Sequence, residues 1–518
     1  MKNLFKTILL IVFFPVITIG QKLKETDSIP VDPAIKIGKL KNGLTYYIRK
    51  NRKPENNVDL RLVVNAGSIL EDDNQQGLAH FMEHMNFNGT KRFPKNKLVD
   101  YLETIGVKFG QHLNAYTSFD ETVYFLPIPS DSPEKIENGF NIIEDWAFNA
   151  NLNLEDIDKE RGVVLEEHRL GVGADARMRD KYWPKLLYKS KYAERNPIGK
   201  KEILEHFKVD EIVRFYKDWY RPNLMCVIVV GDIDVNQMEQ KIKAHFEKYE
   251  NPKNEKKRKL YGIPDHTETF VAIESDKEAT NTMVNLIYKD SGLAEKTKTV
   301  GQYKKTIAEE LITTMLNTRF YELLNTPKPP FTFGSSNYGA LTRTKNVYSS
   351  IAMVQEDKQL YGLKVLINEN EKAKLFGFTQ AELDRAKAKI RVIFVTENQE
   401  SDKLTSDNYV AKYLSHFLTQ TPIPSLEWTA VNKDKLLQTI NLTEINALTK
   451  VYFKEKNRVV IITSPEKKGL KKVTEQEVLN TLKVNPDEIT PSAEKRVVTS
   501  LLRNEVKLGT ILKQEKKH

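Results

Sequence analysis

The sequence predicts an α+β protein that uses one structural plan twice, over residues 30–250 and 266–475, joined by a linker at 251–265. Three observations predict it. Runs that alternate apolar and polar residues are interleaved with segments of helical period, as at 58–65 followed by 77–90. The segment Leu442-Thr-Glu-Ile-Asn-Ala-Leu-Thr-Lys-Val-Tyr-Phe453, then Val459-Val-Ile-Ile462, matches the helix and strand at 210–230, with Glu444 where Glu211 stands. Phe378-Thr-Gln-Ala-Glu-Leu-Asp-Arg-Ala-Lys387 likewise repeats Asn153-Leu-Glu-Asp-Ile-Asp-Lys-Glu-Arg161, with Ala386 where Glu160 stands. A chain of 518 residues, 40 % hydrophobic and 29 % charged, has the material for two such soluble cores.

Residues 1–20 differ from the rest. Lys2 and Lys6 precede an apolar run over 8–19, too short to span a bilayer, that ends in Thr18-Ile19-Gly20. This predicts an export signal cleaved near Gly20, an uncleaved anchor being the alternative, and no stable membrane span once the signal is removed. No cysteine lies near the junction to carry a lipid.

Lys39-Leu-Lys-Asn-Gly-Leu-Thr-Tyr-Tyr-Ile-Arg49 reads as two strands about an Asn-Gly turn, and 58–65 as a third strand. Glu71-Asp-Asp73 then places negative charge before the helix of 77–90, where the helix dipole favours it. A helix near 96–105, paired strands at 112–118 and 121–126, and helices at 135–150 and 154–171 follow. From 209 a helix runs to Tyr220, breaks at Arg221-Pro-Asn223 and leads into a strand at 225–230. Cys226 in that strand is the chain's single cysteine and has no intrachain partner. Residues 476–518 are charged and read as a tail or linker. Lys and Arg exceed Asp and Glu, 80 to 70, but the basic runs are short and no nucleic-acid motif accompanies them, so nucleic acid is not an expected partner.

The chemistry is concentrated in Gly77-Leu-Ala-His-Phe-Met-Glu-His-Met-Asn-Phe-Asn-Gly-Thr90. His80, Glu83 and His84 share a helix face, while Leu78, Phe81, Met82 and Met85 point to roughly the opposite side. Two neutral imidazoles four residues apart suit one zinc ion, and Glu83 beside the open water position suits a general base, in the inverted order His-x-x-Glu-His. With 9 histidines and 70 acidic residues, chance gives roughly 0.02 such motifs per chain, against a mere solvated face. On the later helix, Glu160 and Glu167 share a face seven residues apart, and either could complete a His-His-Glu site.

These residues resemble the pitrilysin family of zinc metallopeptidases, which includes insulin-degrading enzyme and the mitochondrial processing peptidases. The resemblance rests on the histidine motif, Asn114-Ala-Tyr-Thr-Ser118, Glu160-Arg-Gly-Val-Val-Leu-Glu-Glu167, Asn196-Pro-Ile-Gly199 and Tyr220-Arg-Pro-Asn-Leu-Met225. Within the family the chain most resembles the exported bacterial branch named for PQQ synthesis. It implies two homologous domains, each a mixed, mainly antiparallel sheet packed with helices, and one zinc ion per chain. His80, His84 and Glu167 would hold the metal, Glu83 would be the base, and Glu160 would orient a ligand histidine. Asn114, Ala115 and Tyr116 would hold substrate backbone on an exposed edge; an ordinary inner strand is the alternative.

The second copy carries Ala386 and Ile393 in place of the two glutamates, and its helix at 307–320 has no histidine. The expected function is an exported zinc metalloendopeptidase acting on peptides or small unfolded proteins, expected in the periplasm, with an extracellular or membrane-anchored protein as the alternatives. Family members with four such domains close two halves over the substrate, so a second half, a partner subunit or a homodimer is expected. A non-catalytic assembly subunit and a purely structural zinc module are the alternatives.

Overall fold

Gly43, at φ 93°, turns the chain between the first two strands, as the Asn-Gly pair predicts. The structure is a computed structural model that describes residues 23–95, 97–107 and 114–493; the expected export signal lies outside these residues. The first domain runs β1 (Lys36–Lys39), β2 (Thr45–Lys50), β3 (Asn57–Val64), α1 (Leu78–Asn88), α2 (Lys97–Thr104), β4 (Asn114–Thr117), β5 (Thr122–Pro129), α3 (Pro133–Phe148) and α4 (Leu154–Gly171). It continues with α5 (Ala174–Leu186), α6 (Lys201–His206), α7 (Val209–Trp219), β6 (Met225–Gly231) and α8 (Val235–Phe246). Its sheet has the order β1-β2-β6-β3-β5-β4, antiparallel except where β2 pairs parallel with β6.

The second domain comprises β7 (Phe270–Asp276), β8 (Thr282–Lys289), α9 (Val300–Leu324), β9 (Phe333–Thr342), β10 (Lys345–Val354), α10 (Gln359–Leu375) and α11 (Gln380–Gln399). After these come α12 (Ser406–Thr419), α13 (Leu426–Thr439), α14 (Leu442–Tyr452), β11 (Arg458–Pro465) and α15 (Glu475–Thr481). Its sheet order, β7-β11-β8-β10-β9, reproduces β2-β6-β3-β5-β4 of the first, including the one parallel pair. The caps repeat too. Asn153 and Thr379 accept from the backbone at the starts of α4 and α11, and the Glu211 and Glu444 carboxylates accept from Lys208 N and Asn441 N before α7 and α14.

Strand alternation divides each β-strand between two faces. On the inner face of the first sheet, Leu60, Leu62, Tyr124, Leu126, Val227 and Val229 pack with residues of α1, α3 and α7 in one core. On its outer face Val63, Val123, Cys226 and Ile228 are covered by Tyr409, Val410 and Tyr413 of α12, so the second domain roofs the first domain's sheet. The seam is closed from the other side by α5, whose Arg177 grips Asp276 at 2.6 and 2.7 Å. Ala272, Ile287, Val459 and Ile461 of the second sheet join the first core directly.

The stretch read as a linker has no helix or strand, but it is tied down: Arg258 and Gly262 bond to Asn65, Asp120 and Ser190, and Ile263 is buried. Of the stretch expected as a charged tail or linker, 476–518, residues 494–518 lie outside the described residues. α15 packs on α10 and β7, with Val478 and Leu482 buried in the second core, so ordered structure continues past 475. Val473, Leu479 and Val484 pack against the same core and help to dock this short helix.

Candidate metal centre

The site begins with the turn that starts α1. Gly77 sits at φ 104°, a conformation glycine adopts without strain, and Gly199 lies against it so closely that a Cβ there would stand 2.4 Å from the Gly77 Cα. Glu71 then caps the helix, accepting from Gly77 N at 3.1 Å and Ala79 N at 2.8 Å. Burial pushes its carboxyl up to about 8, against the pull of those donors and of Arg195. These contacts fix where α1 starts and so where its polar face points.

Leu78, Phe81, Met82 and Met85 have no exposed surface and anchor the helix in the core. The remaining face presents His80 and His84, whose rings meet edge to face with centroids 4.7 Å apart. α4 packs across α1 and brings two carboxylates to them. Glu167 places one oxygen 3.6 Å from His80 Nε2 and the other 3.2 Å from His84 Nε2. Glu160, two turns earlier, sits 2.8 Å from His84 Nδ1, and its second oxygen accepts from Asn88 Nδ2 at 2.5 Å. Glu166 turns away and pairs with Arg169.

The donor set fits a divalent ion. One atom each from His80, His84 and Glu167 lies within 4.8 Å of the others, the one such group among the described residues. Ligands about 2.1 Å from a tetrahedral ion stand about 3.4 Å apart, close to the separations found. With Glu160 against Nδ1, a neutral His84 ring keeps its proton there and offers Nε2 as the ligand. Burial and the neighbouring His84 push His80 down to about 4, which keeps it neutral. Burial opposes charge on His84 too, yet Glu160 and Glu167 outweigh it and hold the ring up to about 9, a proton that a bound cation would displace.

Glu83 is buried, and the Thr117 hydroxyl donates to its Oε2 at 2.6 Å. Burial pushes this carboxyl up to about 7, while Thr117 and His84 pull the other way. Thr117 ends β4, which lies at the sheet edge, bonded only to β5 among the described strands. Asn114, Ala115 and Tyr116 therefore lie with His80, His84 and Glu167 around a cavity of about 780 Å³, with Phe87, Val99 and Val163 as its apolar wall. In the second domain Ala386 is buried and Ile393 lies exposed at the corresponding positions.

Residues 46–192 match the insulinase family, Peptidase family M16, and 206–390 match the Peptidase M16 inactive domain. The chain belongs to the M16 insulinase family. The division between these matches agrees with Ala386 and Ile393 standing in the second copy where the first has Glu160 and Glu167. A zinc protease PQQL-like protein of Arabidopsis thaliana is 32 % identical over 79 % of this M16 chain and 40 % of its own length. A probable zinc protease PqqL of Haemophilus influenzae is 36 % identical over 60 % of this chain and 34 % of its own. The first half of the periplasmic protease PqqL from Escherichia coli superposes with a TM-score of 0.83 at 25 % identity, covering 91 % of this chain and 100 % of that half. The M16 chain thus spans less than half the length of these curated relatives, and 52 % of the full PqqL structure is matched.

Thr117 and Asn88 are the polar contacts that sequence reasoning missed. Both carry a signal. Thr117 shares a strand face with Ala115, and Asn88 stands four residues after His84 on the same helix face.

Proposed function

We propose that the chain is the catalytic, two-domain half of an exported zinc metalloendopeptidase that hydrolyses peptides or small unfolded proteins. One observation carries the reading: two imidazoles and the Glu167 carboxylate converge within 4.8 Å of one another, and the buried carboxylate of Glu83 lines the same cavity. His80, His84 and Glu167 would hold one zinc ion, and Glu160 would orient His84. When bound, zinc polarises the peptide carbonyl and acidifies water in its open position.

The chain's own residues do the rest. Glu83 takes a proton from the attacking water and delivers it to the leaving amine, with Thr117 holding its carboxylate toward the cavity. An extended substrate adds to the free edge of β4 beside Asn114, Ala115 and Tyr116, which aligns a peptide bond with the metal residues. The apolar wall of Phe87, Val99 and Val163 receives a side chain next to that bond.

A second half closes the chamber, as the length of the relatives suggests, and periplasmic location follows the Escherichia coli protease. No described helix is long and apolar enough to cross a membrane. The alternative of an assembly subunit gives Glu83 no task, although the residue is buried and held in place. Metal analysis of the wild type and His80→Ala tests the site, and a peptide assay with and without the second half tests the assembly. The expected result is one zinc per wild-type chain, none in His80→Ala, and turnover that rises when the halves are combined. Metal-free wild-type protein would reject the reading.

A further inference from the structure

The turn between β4 and β5 carries two acidic side chains, Asp120 and Glu121, with only 7 % and 17 % of their side-chain surface exposed. Each needs a partner, because a buried carboxylate without one is strongly disfavoured. Asp120 finds its partners in Tyr192, which donates at 2.7 Å, and in Arg258 of the strap between the domains, at 2.8 Å. Glu121 is matched from the second domain. Arg343, in the turn between β9 and β10, donates to Glu121 Oε2 at 2.7 Å and to the Asn65 side chain just after β3, with its Nε 3.7 Å from Asp120. Among the described residues no other side chain donates a hydrogen bond to Glu121.

This turn is the near support of the proposed base. Ser118 N bonds to Glu121 O at 2.8 Å to close it, and one residue earlier Thr117 donates to Glu83. Ser68 and Ile69 hold the turn's backbone through Ser118 O and Phe119 O, but they do nothing for its charge. We propose that Arg343 is a positioning residue: the catalytically empty second domain sets the β4–β5 turn, and through Thr117 it sets the carboxylate of Glu83. The kinetic part of this inference rests on the peptidase reading above. Without Arg343 the charged Glu121 carboxylate is drawn toward water, and that movement shifts the turn. A hydroxyl displaced by about 1 Å no longer holds Glu83 in line, and errors of that size cost rate even when they arise away from the chemistry.

The test uses the full chain, with its second half if activity requires it, as Arg343→Gln and as Arg343→Gln combined with Glu121→Gln. Zinc content, amide hydrogen exchange over 114–121, kcat and KM are measured for each. Arg343→Gln is expected to keep its zinc, to exchange faster across 117–121, and to lose about tenfold in kcat with KM within about twofold. The double variant, which leaves no unpaired charge, is expected to recover most of the protection and of kcat. Wild-type exchange and kcat in Arg343→Gln would overturn the proposal, as would a double variant as impaired as the single. If Arg343→Gln fails to fold, Arg343→Met replaces it, alone and combined with Glu121→Gln, and the same outcomes uphold or overturn the proposal. Should the wild type cleave no peptide, the peptidase reading fails while exchange across the turn still decides whether Arg343 sets it.

Discussion

Nδ1 of His84 lies 2.8 Å from Oε1 of Glu160, and that contact decides which ring nitrogen faces Glu167. Partners of this kind raise ligand basicity and fix ring orientation, and their loss weakens metal binding about 10- to 100-fold. Glu160→Ala is therefore expected to fold, to bind zinc about 10- to 100-fold more weakly in a chelator competition, and to regain activity in excess zinc. Wild-type affinity would contradict the assignment of Glu160 to this task.

Thr117→Val tests the other side of the site. The Thr117 hydroxyl stabilises the ionised form of Glu83, against the burial that pushes the carboxyl up to about 7. Removing the donor raises the carboxyl pKa, and the base works only when ionised. The acid limb of kcat/KM should move to higher pH, with the variant losing more activity at pH 6 than at pH 8 and keeping its zinc. A pH profile superimposable on the wild type would show that the hydroxyl does not act on Glu83.

Much of this was legible in the sequence, for definite reasons. The 3.6-residue spacing of Leu78, Phe81, Met82 and Met85 separates the buried face of α1 from His80 and His84, and the repeat at Glu211 and Glu444 foretells two like domains. What escaped depends on contacts between distant segments. α5 is charged and contains Pro184, and what holds it is the second sheet, through Arg177 to Asp276 and Lys185 to the Val271 carbonyl. α12 covers the outer face of the other domain's sheet, which no local pattern announces. Thr117 stands in the Asn114–Ser118 run, but its partner Glu83 is 34 positions away.

Gly199→Ala should disturb the start of α1. At φ 82° an added Cβ would meet Gly77 Cα at 2.4 Å and the Gln76 carbonyl oxygen at 2.6 Å, both backbone atoms that cannot swing aside. A loss of about 1–3 kcal/mol is expected from denaturant unfolding, with weaker zinc binding because α1 carries both histidines. An unchanged midpoint and unchanged zinc affinity would show that this contact relaxes freely.

Val478→Ala tests how far the second domain extends. Its side chain is fully buried on α15, and shortening it should cost about 1–3 kcal/mol in unfolding. No change would mean that the segment behaves as a loose tail.

The proposed peptidase reading makes Glu83 the proton acceptor beside a zinc ion held by His80, His84 and Glu167. Its most direct test is hydrolysis of a quenched fluorescent peptide by the wild type and Glu83→Gln, both assembled with the second half if that is required and both analysed for zinc. One zinc per chain in each protein, with turnover in the wild type alone, is the predicted result. Equal turnover by zinc-loaded Glu83→Gln would contradict it.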